Sequence, residues 1–168
     1  MDNRNLFAAL RAAFPQDLDG IAVETDTGLA YSWRDLDRGT AMIANLLQSL
    51  NIAPGARIAV QVEKSVEALM LYLATLRAGY AFLPLNTAYQ KAEIEYFVGN
   101  AEPAVVVCSP ANFGWVSKIA FQAGTHHVGR WLPGDVHADG PRGLPGVGQA
   151  VAWHGRHARL VRVEQRHA

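Results

Sequence analysis

Three apolar runs of β-forming residues recur at one interval along this chain. Arg57-Ile58-Ala59-Val60-Gln61-Val62, Ala81-Phe82-Leu83-Pro84 and Ala104-Val105-Val106-Val107-Cys108 have their centres near residues 60, 83 and 106. A hairpin joins strands with a few residues, whereas an interval of about 23 leaves room for one crossover helix each time. The intervening segments read as those helices. Ser65 to Ala78 is followed by Gly79, a residue free to take the positive φ that ends a helix. Gln90 to Asn100 follows Thr87-x-x-Gln90, which reads as a capping box, and Ala111 to Ala123 is the third. The near-continuous run Val105-Val106-Val107 suits a strand covered on both faces. The predicted fold class is α/β, with strand–helix repeats forming a parallel sheet joined by right-handed connections.

Upstream of the repeats, Asn3 to Phe14 carries apolar residues at 6, 7, 10 and 14 and reads as an amphipathic helix stopped by Pro15. Ile21 to Thr25 and Leu29 to Tyr31 flank Asp26-Thr27-Gly28, a hairpin with Gly in the tight turn. Ser32 then reads as an N-cap with Asp35 at N3. The helix it opens places Leu36, Ile43, Leu46, Leu47 and Leu50 on one broad face, and Asn51 to Gly55 ends it.

Of the 168 residues, 50% are hydrophobic and the formal net charge is zero. That suits one domain with a sizeable core and offers no field to attract nucleic acid or an anionic membrane. The lone Cys108 excludes a disulfide framework and fits a reducing compartment. No apolar run approaches the ~20 residues of a bilayer span, and the polar N-terminus lacks a signal-peptide core. The expectation is a cytoplasmic protein with no membrane partner.

A seam crosses the chain near Thr125. All six histidines lie beyond it: His126, His127, His137, His154, His157 and His167. From Val128 to Ala168 there is no Ile, Phe, Tyr, Asn or Lys, residues whose codons need A or T in the first two positions, while Gly, Arg, Pro and Ala abound. The predicted organisation is a folded portion, 1–125, and a Gly/Arg/His-rich tail, 126–168. The tail reads as disordered or as a GC-rich gene translated out of frame, with a natural extension as the alternative.

In an open parallel sheet, ligands gather beyond the carboxyl ends of the strands. Those ends are Glu63-Lys64-Ser65, Leu85 to Tyr89 and Ser109 to Asn112, each a strand-to-helix loop offering unpaired N–H groups to an anion. Two readings stand: a phosphate-binding rim, or plain capping by Ser65, Thr87 and Ser109 with Lys64 solvated. Neither a dinucleotide nor a P-loop fingerprint is present, and Gly140 to Gly148 lacks Lys and hydroxyl groups and carries two prolines where donors would be needed. His126-His127 and His154-x-x-His157 would bind a metal only if held rigidly together. Cys108 reads as a small buried hydrophobe. The acid pairs Asp35/Asp37 and Glu93/Glu95, spaced i,i+2, read as solvated faces.

Two segments resemble a known family. Tyr31-Ser32-Trp33-Arg34-Asp35-Leu36 is similar to the first core motif of adenylate-forming (AMP-binding) enzymes. Leu76-Arg77-Ala78-Gly79-Tyr80-Ala81-Phe82-Leu83-Pro84-Leu85-Asn86 is similar to their second. The order of elements resembles the N-terminal subdomain of that superfamily, which includes acyl-CoA synthetases and peptide-synthetase adenylation domains. Glu63 to Leu69 and Leu83 to Tyr89 most resemble malonyl-CoA synthetases. The resemblance implies a ligase of fatty acid metabolism that joins a malonate-like carboxylate to ATP with Mg²⁺, then passes the acyl group to coenzyme A. The family's third core motif, a Thr/Ser/Gly loop with Lys that holds the triphosphate, is absent, so no catalytic or metal-binding residue is carried over. Asn86, Thr87 and Ala88 match the loop where some members approach coenzyme A; capping of the next helix is the alternative for them. Two function classes follow: a truncated acyl-CoA (malonyl-CoA) synthetase inactive by itself, or a small non-catalytic α/β binding module derived from that subdomain. Uncovered apolar surface would favour self-association in either case.

Overall fold

The computed structural model describes residues 5–131 and 164–165. Strand β1 (Ile21–Glu24) pairs antiparallel with β2 (Ala30–Ser32) as the expected hairpin, turning through Gly28 at φ +81°. The main sheet is built from β3 (Arg57–Gln61), β4 (Ala81–Pro84), β5 (Val105–Cys108), β6 (His127–Arg130) and β7 (Glu164–Gln165), in the order β4-β3-β5-β6-β7. The first four strands of that order are mutually parallel, and β7 adds an antiparallel partner to β6. The fold class is α/β, as the 23-residue interval requires.

Strand residues alternate between two cores, as the period of 2 demands. Ile58 and Val60 of β3, with Val105 and Val107 of β5, pack beneath α2 (Trp33–Ser49) and α3 (Val66–Arg77). Ala59, Val106 and Cys108 face the opposite way, toward α4 (Lys91–Ala101) and α5 (Phe113–Gln122). Helices α2 and α3 lie close because Gly39 has no side chain; a Cβ there would sit 2.6 Å from the Met70 sulfur. The buried Tyr31 hydroxyl donates to Glu67 Oε1 at 2.9 Å, linking β2 to α3.

The N-terminal helix α1 (Leu6–Ala12) is shorter than its apolar pattern suggested. Asn5 caps it, accepting from Phe7 N at 2.8 Å, and donates through Nδ2 to Leu76 O at 2.8 Å. Ser32 and Asp35 form the expected capping box of α2: Ser32 Oγ accepts from Asp35 N, and Asp35 Oδ2 accepts from Ser32 N at 2.9 Å.

Four expectations need correction. The acid pairs are not simply solvated. Asp35 is buried in its cap, and Asp37 accepts from Arg11 Nη2 (3.0 Å) and Arg77 Nη1 (2.9 Å). Burial alone would raise the Asp37 carboxyl, but the two guanidiniums outweigh it and hold it below its usual range. Glu93 holds the start of α4, accepting from Gln90 N at 3.0 Å, and Glu95 lies 3.6 Å from Lys91 Nζ. Gln90, not Thr87, is therefore the N-cap of α4. Ser109 does not cap α5, whose N-cap is Asn112.

Finally, the sheet continues past residue 125. Val128 of β6 and Trp131 are buried, and β6 runs parallel to β5 with Val105 opposite His127. Apart from β7, the rest of the segment expected to be disordered or out of frame lies outside the described residues.

Ile58 lies under α2 and α3 with no exposed surface. Ile58→Ala is expected to cost about 2–5 kcal/mol of unfolding free energy in urea, against about 0.5 or less for Ile21→Ala at a mostly exposed site. Equal shifts for the two variants would refute this assignment of the core.

Candidate functional site

At the carboxyl ends of β3, β4 and β5 the chain divides. Helix α3 leaves onto one face of the sheet, whereas α4 and α5 leave onto the other. Loops that part in this way open a crevice at the strand ends, the usual ligand position in such sheets. A cleft of about 710 Å³ lies at the ends of β3 and β4. Its polar lining is Glu63, Lys64, Asn86 and Thr87, and Val62 and Phe82 are among its apolar residues.

The candidate residues divide within it. Lys64 is exposed beside Thr87, which is half-buried and freed from the expected capping role. Asn86 closes an Asx turn, its Oδ1 accepting from Ala88 N at 2.9 Å. That bond occupies the Ala88 N–H, the donor an anion would otherwise use. Ser65 is a cap, accepting from Ala68 N at 3.1 Å, so the rim reading contracts to Lys64, Asn86 and Thr87. The N-terminus of α3 also carries Glu67 in its first turn, a charge that opposes an anion there.

Gln61 was not a candidate in the sequence, yet it organises this region. Its side chain is buried at the end of β3, donating through Nε2 to Asn86 O (3.1 Å) and Tyr89 O (3.2 Å). Its Oε1 accepts from Asn112 Nδ2 at 3.3 Å. The only sequence signal was an amide at the carboxyl end of an otherwise apolar strand.

Other candidates lie elsewhere. Cys108 is buried against α4 and α5. Burial pushes its thiol up to about 12, with Arg130 pulling weakly the other way, so it is a protonated, inert group at neutral pH. A thiol reagent at pH 8 should leave Cys108 unmodified in the folded chain and label it rapidly in 6 M guanidinium. Rapid labelling of the folded chain would contradict its burial.

His126 is exposed and His127 is buried, its Nδ1 without a hydrogen-bond partner among the described residues. His154 and His157, like Gly140 to Gly148, fall outside the described residues. Among the described residues no three His, Cys, Asp or Glu side chains are grouped to hold a metal. Burial, and then the neighbouring His126, lower the His127 pKa from 6.5. The folded state thus binds fewer protons than the unfolded state in that range, and stability falls as pH drops through 6.5 toward the folded value. The urea midpoint should decrease between pH 7.5 and 5.5, and His127→Val should flatten that slope. An unchanged slope in the variant would assign the pH dependence to other groups.

Among the described residues no helix is long and apolar enough to cross a membrane. The AMP-binding enzyme family matches residues 10–138. The crystal structure of apo MatB from Rhodopseudomonas palustris is 40% identical with a TM-score of 0.75, over 90% of this chain and 28% of that one. The ATP-bound form of the same protein gives 38% and 0.75, over 99% of this chain and 31% of that one. Phosphinothricin tripeptide synthetase PhsB from Streptomyces viridochromogenes is 30% identical over 106 residues, 63% of this chain and 9% of its own length. The chain belongs to the AMP-binding enzyme family and corresponds to its N-terminal region, spanning under a third of the MatB chains.

Proposed function

We propose that this chain is the N-terminal part of an acyl-CoA synthetase whose cleft at Lys64, Asn86 and Thr87 forms the coenzyme A side of the site, with Ala88 shaping the loop. The observation that carries the reading is the placement of that cleft at the parting of α3 from α4, within a region of family match. The chemistry suits a phosphate-bearing ligand. Lys64 brings an exposed ammonium and Thr87 a hydroxyl, while Glu63 on the same rim disfavours a ligand carrying negative charge over its whole length. The carboxylate would be malonate-like, a choice that rests on the resemblance of Glu63 to Leu69 and Leu83 to Tyr89 to malonyl-CoA synthetases.

The family reaction has two steps: a carboxylate displaces pyrophosphate from ATP, and the acyl adenylate then passes its acyl group to a thiol, releasing AMP. ATP would bring the adenylyl group, and Mg²⁺ would neutralise part of its charge. The residues of this chain do not fit that half of the chemistry. The cleft offers a single ammonium beside a carboxylate, and the phosphate loop with its Lys is missing from the sequence. One missing oxyanion donor commonly costs ~10²–10³ in rate; here the set is missing, so the chain by itself does not turn over. The folded portion is proposed to run from α1 through β6, and Ile21 and Tyr96, each 66% exposed, are offered as the apolar surface for self-association.

Pyrophosphate release from ATP and malonate, measured with the 168-residue chain against a metal-depleted control, is expected to show no malonate-dependent rate. Release above the control would mean that a complete adenylating site is present. Coenzyme A alone should shift the amide resonances of residues 86–88 and of Lys64, and the shifts should weaken with salt; their absence would remove the coenzyme A reading and favour a non-catalytic module.

A further inference from the structure

We infer that Gln61 is the positioning residue of the cleft: its one carboxamide fixes the loop 86–89 in the shape in which that loop meets a ligand. The inference rests on the coenzyme A reading of the cleft, but its geometric half stands by itself. An amide left unsatisfied in an apolar setting is destabilising, and Gln61 is 1% exposed. It avoids that cost by using its donors and its acceptor at once. Nε2 donates to two carbonyls of the β4–α4 loop, Asn86 O and Tyr89 O. Oε1 accepts from Asn112, at the N-terminus of α5.

Among the described residues the loop has no comparable tie to the sheet. Leu85 N donates to Val60 O at 2.8 Å where β4 ends. Beyond that point the bonds are local: Ala88 N to Asn86 Oδ1, Tyr89 N to Asn86 O, and Gln90 Nε2 to Ala88 O. Asn112 is held in turn, its Oδ1 accepting from Trp115 Nε1 at 3.3 Å. One side chain at the end of β3, the strand between β4 and β5, therefore joins the β4–α4 loop, which lines the cleft, to the β5–α5 loop. Few side chains can do this. Glu of the same length keeps the acceptor and loses both donors, Lys keeps donors and loses the acceptor, and Met fills the space with neither.

Three substitutions in the full 168-residue chain test the assignment: Gln61→Met, Gln61→Glu and Asn112→Ala. Each is read by amide hydrogen exchange at Ala88 and Tyr89, by the Kd for coenzyme A from amide-shift titration, and by the urea midpoint. Gln61→Met should raise exchange at Ala88 and Tyr89 at least tenfold while amides within α2 and α3 keep their protection, and should weaken coenzyme A at least fivefold. Gln61→Glu should do more, because a carboxylate would face two carbonyl oxygens; a role limited to filling space predicts no difference in loop exchange between Met and Gln. Asn112→Ala removes the acceptor-side anchor at a half-buried position, and should loosen the loop with the urea midpoint little changed, which keeps the test open if Gln61→Met does not fold. Unchanged exchange at Ala88 and Tyr89 in the folded variants would overturn the inference. If wild-type chain shows no coenzyme A shifts while the exchange effects appear, the ligand reading fails and Gln61 still holds the loop.

Discussion

The pairing of β3 with β5 is the constraint on which the rest of this structure depends. Ile58, Ala59 and Val60 lie opposite Val105, Val106 and Val107 in parallel register, and all six are buried. A parallel pair must be covered on both faces because its crossover helices occupy them. The alternation of side chains then assigns each residue to one of two cores, so α2 with α3 and α4 with α5 have no choice of face. A shift of one residue in β3 would exchange the small Ala59 with its bulkier neighbours and misfit both cores together. The crevice exists for the same reason, since helices leaving on opposite faces cannot close over the strand ends between them.

Elements were legible where local chemistry and tertiary packing agreed. Ser32 with Asp35 gave the start of α2, and Gly79, at φ +83°, marked the end of α3. The strand β6 was missed because of its four residues, His127, Val128, Gly129 and Arg130, only one carries a sizeable apolar side chain. Its burial comes from β5 alongside and not from its own propensity. The interval did hold the signal: one more step of about 23 residues from position 106 lands near residue 129, inside β6. The box at Thr87 failed for a different reason. Asn86 Oδ1 takes the Ala88 N–H in an Asx turn, which delays helix entry until Gln90.

Charge was the least legible property. An i,i+2 acid pair places its members on different sides of a helix, which correctly separates Asp35 from Asp37 but says nothing of what meets each one. Asp37 receives Arg11 from α1 and Arg77 from α3, two guanidiniums from segments distant in sequence. The Arg77 guanidinium also lies 4.8 Å from the Phe7 ring centroid, so the same cluster fastens α1 to the body of the fold. The candidate site shows the same limit. Lys64, Asn86 and Thr87 were readable as a rim because strand ends are readable, whereas the role of Gln61 depends on two carbonyls and an amide that only the folded chain assembles.

The residues that mark this chain as a family member are, in the structure, residues of the scaffold. Tyr31 donates to the buried Glu67, and Asp35 closes the cap with Ser32. Gly79 supplies a positive φ, and Pro84 ends β4 at the edge of the sheet, a position where a missing N–H is tolerated. None of these four lines up a donor for a phosphate or a carboxylate. Motifs of this kind therefore report fold with high specificity and chemistry only by association, because what they preserve is the geometry from which loops project. In this chain the loops that project at the strand ends are fixed separately from those motifs, one buried amide, Gln61, tying the β4–α4 loop to the β5–α5 loop.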